Sequence, residues 1–151
     1  MNKKQKIITG AVSIIAITFF CWYFFSHEYS LQGNKIKKIS IGNFQVYAEV
    51  VEDRKKLELG LGGREKMCKY CGMLFVFNEK GRQNFWMKGM HFPIDILWMD
   101  GKKIVHIERN VSPYDQRRVY SSEIPSDKVL ELPAGTCDKE NIKKRDVVNF
   151  D

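Results

Sequence analysis

Asn84-Phe85-Trp86-Met87-Lys88-Gly89-Met90-His91-Phe92-Pro93-Ile94-Asp95-Ile96-Leu97-Trp98-Met99-Asp100 decides the fold of this chain. In an extended segment from Ile94 to Met99, Ile94, Ile96 and Trp98 share one face while Asp95, Leu97 and Met99 share the other. Both faces are mostly apolar, so the segment reads as a central strand covered on two sides. Asp100-Gly101 follows, a pair that supplies the positive φ angles of a tight turn, and Lys103 to Glu108 is the return strand of a hairpin. Lys88 and Asp95 lie inside apolar runs, where a charge needs a partner or a purpose.

Working outward, Phe44, Val46, Ala48 and Val50 alternate with Gln45, Tyr47 and Glu49, the period-two pattern of a half-buried strand. Gly72 to Phe77 and Phe85 to Lys88 are further strand candidates, as are Arg118 to Glu123, Lys128 to Leu132 and Arg145 to Phe150. Helix signals are weaker: Asp53 caps a short segment through Leu59, and Thr136 to Ile142 forms another. Many short strands with two small helices predict a mainly β fold, an antiparallel sandwich or barrel. A parallel α/β sheet would need a long helix after most strands.

At the N-terminus, Lys3, Lys4 and Lys6 precede an uncharged run from Ile7 to Phe25. As a helix, roughly 19 residues extend about 28 Å, the thickness of a bilayer's hydrocarbon core. The run ends Phe19-Phe20-Cys21-Trp22-Tyr23-Phe24-Phe25, without the small residues that precede a cleavage site, and these bulky side chains also argue against lipidation at Cys21. The expectation is an uncleaved, single-pass transmembrane helix in the cell membrane, with Trp22 and Tyr23 at the exit interface. The alternative is secretion after signal cleavage. The basic flank keeps the N-terminus cytoplasmic and places the following domain outside. The chain thus divides into an anchor (1–25), a polar linker (26–38) and one extracytoplasmic β domain (39–151), a usual size for a single domain.

Five blocks taken together carry a family resemblance. Leu59-Gly60-Leu61-Gly62-Gly63-Arg64, Gly72-Met73-Leu74-Phe75-Val76-Phe77, Phe85-Trp86-Met87-Lys88, Pro93-Ile94-Asp95-Ile96 and Leu130-Glu131-Leu132-Pro133-Ala134-Gly135 resemble, in order, those of the domain-of-unknown-function 192 family. The resemblance covers about Val46 to Val148. It implies a compact β-rich fold similar to a jelly roll, often secreted or membrane-attached, with no established activity and no catalytic residue to carry over. The chain departs from the family pattern at three positions. Gly89 stands where asparagine is common, Gly62 where methionine is common, and Lys144-Arg145-Asp146 lacks the customary glycine before the aspartate.

A buried Asp95 must either pair with a cation, for which Lys88 and Arg64 are the candidates, or accept backbone hydrogen bonds. The structural reading is a buried ion pair that fixes one packing arrangement. The functional reading is a polar pocket floor where Lys88 or Arg64 meets an anionic or hydroxyl-rich ligand. Glu131, between Leu130 and Leu132, carries the same two readings. Trp86, Phe85 and Phe92 suit sugar stacking, although aromatics at alternating strand positions more often build core. The candidate ligand-binding set is therefore Arg64, Trp86, Lys88, Asp95 and Glu131.

Among the cysteines, Cys68-Lys69-Tyr70-Cys71 has redox or half-zinc spacing. No βαβ pattern surrounds it, and a zinc site would need Cys137 and a histidine such as His91 or His106 to converge. An oxidising exterior favours a disulfide, either Cys68 to Cys71 or one of these to Cys137. Met87, Met90 and His91 could offer soft ligands to copper(I), but methionine among aromatics is chiefly gap-filling core.

The chain has no Gly-rich phosphate loop, Gly-x-Ser-x-Gly elbow or His-Glu-x-x-His helix, so no cofactor or metal is expected. The formal net charge of +7 includes the three lysines ahead of the apolar run, and no arginine-rich stripe or base-stacking motif points to nucleic acid. These features favour a membrane-anchored binding or accessory module whose partner is an envelope glycan or envelope protein. The competing readings are an enzyme around Asp95, Lys88 and Glu131 and a thiol- or metal-handling protein using Cys68 and Cys71.

Overall fold

The computed structural model describes residues 33–151. The apolar run from Ile7 to Phe25, with the membrane span expected there, lies outside the described residues. Among those residues no helix is long and apolar enough to cross a membrane.

The described chain is mainly β, with nine strands and two short helices. In order these are β1 (Lys35–Ile41), β2 (Phe44–Val51), α1 (Arg54–Leu59), β3 (Cys71–Gly81), β4 (Asn84–Trp86), β5 (Ile94–Asp100), β6 (Lys103–Val111), β7 (Val119–Ser121), β8 (Ser126–Pro133), α2 (Thr136–Lys139) and β9 (Val148–Phe150). The expected hairpin is present, with Gly101 at φ +61° between β5 and β6. Asp53 caps α1 by accepting a hydrogen bond from the Lys55 amide at 3.0 Å.

Seven strands form one sheet in the order β6-β5-β8-β3-β2-β1-β9, and β4 pairs with β7 in a separate ribbon. The large sheet curls into a half-barrel. At one end its two edges meet, where the Arg145 amide donates to the Ile104 carbonyl at 2.8 Å and the Ile104 amide to the Asp146 carbonyl at 3.0 Å. The sheet is mixed rather than purely antiparallel, because β2 and β3 run parallel, with Tyr47 opposite Cys71 and Val51 opposite Phe75. α1 and the loop through Tyr70 carry the chain back to start β3 beside β2, the crossover that a parallel pair requires.

The linker expected to reach Lys38 is also shorter, since Lys35 to Lys38 pair in register with Val50 to Tyr47. β9 covers only Ile39 to Ile41 of that strand. The lysine-rich half therefore lies along an open edge, where charge suppresses unwanted strand pairing.

Side chains alternate between two cores, which explains why β5 is apolar on both faces. The inner core of the half-barrel takes Ile39, Val46, Ala48, Leu74, Leu97, Met99, Leu130 and Leu132, together with Cys137 of α2. The outer face takes Met73, Phe75, Ile94, Ile96, Trp98 and Val129, and is covered by Leu61 beyond α1 and by Phe85, Met87, Met90 and Tyr120 around the β4–β7 ribbon. Trp98 is fully buried there, and its indole N–H donates to the Gln83 carbonyl at 2.9 Å.

Candidate functional site

The alternation of β8 sends Glu131 to the outer face, opposite Met73 on β3 and Ile96 on β5. Met73 in turn lies opposite Glu49 on β2, so two acidic residues share one row across the sheet. Both are buried, and their environments differ. Arg64, delivered by the loop after α1, grips Glu49 with both guanidinium nitrogens, one contact measuring 2.9 Å. The Glu131 side chain is 5% exposed, and its Oε2 has no hydrogen-bond partner. Burial pushes the Glu131 carboxyl up to about 8, against the opposing pull of the Arg64 charge. Glu131 is therefore mostly protonated at neutral pH.

Glu131 lines a cavity of about 200 Å³ on this outer face. Leu57, Glu58 and Leu59 of α1 form one side, continued by Gly60, Leu61 and Gly62. Phe75 and Phe77 of β3 and Phe85 of β4 contribute aromatic walls, and Trp86, Lys88 and Met90 also line it, with Arg54 and Asn84. Phe85 meets Phe75 edge to face at 4.9 Å between centroids, so those rings are fixed. Trp86 is 49% exposed, leaving ring surface free at the site. The arrangement combines an acid that lacks its hydrogen bonds with flat apolar surface, the makings of a small polar-ligand pocket.

Lys88 is exposed and lies between buried Met87 and Met90. The turn is tied by the Met90 amide to the Met87 carbonyl at 3.1 Å, and by the Gly63 amide to the Gly89 carbonyl at 2.8 Å. Gly89 adopts φ +71° there, a left-handed conformation open to glycine and, among the other residues, best to asparagine.

Asp95 does not join the cavity. It is fully buried on the inner face and accepts backbone hydrogen bonds from Asn110 at 2.8 Å, Gly135 at 3.2 Å and Cys137 at 2.8 Å. Of the two outcomes expected for a buried Asp95, backbone donors hold, while a pair with Lys88 or Arg64 does not form. The carboxylate anchors the end of β6 and the entry to α2. The three candidate aromatics also separate: Phe85 is core, Phe92 packs partly buried against the outer core, and Trp86 alone stands half exposed.

Cys68 and Cys71 form a disulfide, closing the loop just before β3. Cys137 is a free thiol, buried beside Asp95. It takes part in neither a disulfide nor a zinc set, and among the described residues no group of three or more His, Cys, Asp or Glu side chains is placed to hold a metal ion. His106 instead contacts Glu108 at 3.0 Å and packs on the Trp98 ring.

Sequence reasoning named Arg64, Trp86, Lys88 and Glu131, which the structure brings to or beside one cavity, but missed Glu49, Phe75, Phe77 and the α1 wall. The signal for Glu49 was present, an acid on the polar face of an alternating strand with Arg64 as a basic residue nearby. Nothing local marks α1 as a wall.

No curated protein matches the chain. Among solved structures it is similar to a protein from Sinorhizobium meliloti described as a "putative transcription regulator", with 27% identity, a TM-score of 0.74, and coverage of 78% of this chain and 95% of that one. It is also similar to a protein of unknown function from Novosphingobium aromaticivorans, with 25% identity, a TM-score of 0.74, and coverage of 80% of this chain and 89% of that one. The profile of DUF192, described as Uncharacterized ACR, matches residues 37–150, and the chain belongs to this family.

Proposed function

We propose that this protein is a membrane-anchored, extracytoplasmic binding module whose site is the Glu131 cavity and whose ligand is a small hydroxyl-rich group, such as one sugar unit of an envelope glycan. The observation that carries the reading is the buried Glu131 Oε2, without a hydrogen-bond partner in a cavity lined by aromatic rings. An orphaned buried carboxyl oxygen is costly to the fold, and a ligand hydroxyl would remove that cost. The half-exposed Trp86 ring offers the flat apolar face that a sugar ring covers. A space of about 200 Å³ suits a single ring-sized group rather than a long chain. The basic start and apolar run at the N-terminus support the anchor and its orientation.

Binding is favoured over catalysis because the carboxyl pair that would serve sugar hydrolysis is not assembled: Asp95 and Glu131 occupy opposite faces of the sheet. A thiol role, which needs an exposed Cys68, is disfavoured because Cys68 and Cys71 are only partly accessible. The sequence carries no basic stripe for nucleic acid, so we do not extend the description of the Sinorhizobium structure to this chain.

The test is an NMR titration of the full chain in lipid nanodiscs with soluble envelope-glycan fragments. Shifts confined to Gly62, Phe85, Lys88 and Glu131 are expected. A folded chain that stays silent at these positions refutes the reading. A reporter fused after Asp151 and active only outside the cytoplasm checks the orientation.

A further inference from the structure

Resting on the cavity reading above, we infer that the ligand is an acidic sugar unit, with a hydroxyl directed to Glu131 and a single carboxylate held by Lys88. The charges around the cavity point this way. Arg54 at the α1 end is paired with Glu58 at 3.3 Å, and Arg64 is committed to Glu49 through two hydrogen bonds. Lys88 makes no ion pair among the described residues and lines the cavity. With Glu131 protonated, the lining carries one unmatched positive charge, and a complementary ligand carries one negative charge.

Position supports the same assignment. Lys88 projects from a turn whose flanking residues, Met87 and Met90, are both buried, and the Gly63 to Gly89 hydrogen bond joins that turn to the segment following the cavity residues Gly60 to Gly62. The turn that carries Lys88 is thus fixed at the cavity, which lowers the ordering cost of an ion pair with a ligand. The floor and the mouth demand different groups. A buried carboxyl that lacks its hydrogen bonds calls for a hydroxyl, whereas an exposed ammonium calls for an anion, and a sugar acid presents both on one small ring.

The groups facing Glu131 make binding pH-dependent. Arg64 is the charge that acts on it, Lys88 from the turn and Arg54 and Glu58 from α1 line the same cavity, and Glu49 lies in the same row of the sheet. Once Glu131 loses its proton, a buried negative charge opposes the carboxylate of the ligand. Affinity for acidic sugars therefore falls as the pH rises through about 8.

The experiment is calorimetric titration of the full chain in nanodiscs with glucuronic acid and N-acetylmuramic acid against glucose and N-acetylglucosamine, with glycerol 3-phosphate as a phosphate-bearing probe. The acidic sugars should bind about five-fold more tightly than their neutral counterparts, as an exposed charge contact gives. Lys88→Met should abolish that preference, bringing the acidic sugars down to the affinity of their neutral counterparts. Glu131→Gln should bind the acidic sugars but lose the decline above pH 8. Equal affinity for acidic and neutral sugars, or a Lys88→Met loss shared by both, overturns the acidic-ligand inference while leaving the cavity reading intact. Binding of glycerol 3-phosphate without any sugar replaces the sugar acid with a phosphate and overturns it too. Binding of none of the five compounds overturns the cavity reading and this inference together.

Discussion

Asp95 and Glu131 lie on neighbouring strands one residue out of step: Asp95 is opposite Leu132, and Glu131 is opposite Ile96. Because successive side chains leave a strand on opposite faces, the two carboxyls enter different cores. Asp95 meets three backbone amides inside the half-barrel, whereas Glu131 keeps an oxygen without a partner on the outer face. One acid is therefore built into the fold, and the other keeps hydrogen-bonding capacity that the fold leaves unused.

Asp95→Ala should be among the most damaging single changes in the domain. It strands the amides of Asn110, Gly135 and Cys137, which join the end of β6 to the entry of α2. Each buried donor left unsatisfied costs about 1–3 kcal/mol, so a loss of about 4 kcal/mol is expected. Urea unfolding followed by tryptophan fluorescence reads it. A loss below about 1 kcal/mol would mean that this carboxylate does not hold the two elements together.

Glu131 should make the domain less stable as the pH rises. Its carboxyl titrates near 4.5 in the unfolded chain and is raised to about 8 in the folded one, so between those values the folded state holds a proton that the unfolded state has lost. The contribution is most favourable below pH 4.5, declines from there to about 8, and is constant above. Glu131→Gln has no such proton to lose, so the stability of the variant relative to wild type should increase between pH 5 and 8. Paired thermal melts across that range check the slope, and parallel curves would place the Glu131 titration outside it.

The legible parts of this fold were those with local causes. The double-faced β5, the Asp100-Gly101 turn and the Asp53 cap each follow from spacing or turn chemistry within a few residues. β1 was hidden because its lysines read as linker; their exposure follows from β9 covering only one half of the strand. The parallel pairing of β2 and β3 was hidden because α1 has only six residues, shorter than a typical crossover helix. The cavity assembles α1, β3, the β4 region and β8, and such long-range convergence leaves no periodic trace in sequence. Lys88 was a candidate partner for Asp95 because both interrupt apolar runs, but the Met87 to Met90 turn leaves it at the surface.

Thiol accessibility should separate the domain's three cysteines. Without reductant, Cys68 and Cys71 are joined and should resist alkylation. Cys137 should resist it with or without reductant in the folded chain, because burial and the neighbouring Asp95 carboxylate strongly disfavour its thiolate. Peptide mass mapping after iodoacetamide treatment should find Cys68 and Cys71 modified only after mild reduction. Cys137 should be modified only after unfolding. Rapid alkylation of Cys137 in the native chain would contradict the burial of its side chain on the inner side of α2.

Arg145→Gly should stabilise the protein. Arg145 adopts φ +80°, in the region where a side chain is strained, just before Asp146. The backbone there is committed, because the Arg145 amide donates to the Ile104 carbonyl where the two sheet edges meet. Left-handed strain on a residue with a Cβ costs roughly 1–2 kcal/mol, partly offset by the roughly 0.5–1 kcal/mol of extra chain entropy that glycine loses on folding. The Arg145 side chain is exposed, so its removal forfeits little packing. A net gain of about 0.5–1 kcal/mol is expected, readable as a higher urea midpoint at unchanged slope. Arg145→Ala keeps the Cβ and should give no such gain, which separates relief of backbone strain from simple loss of a surface charge.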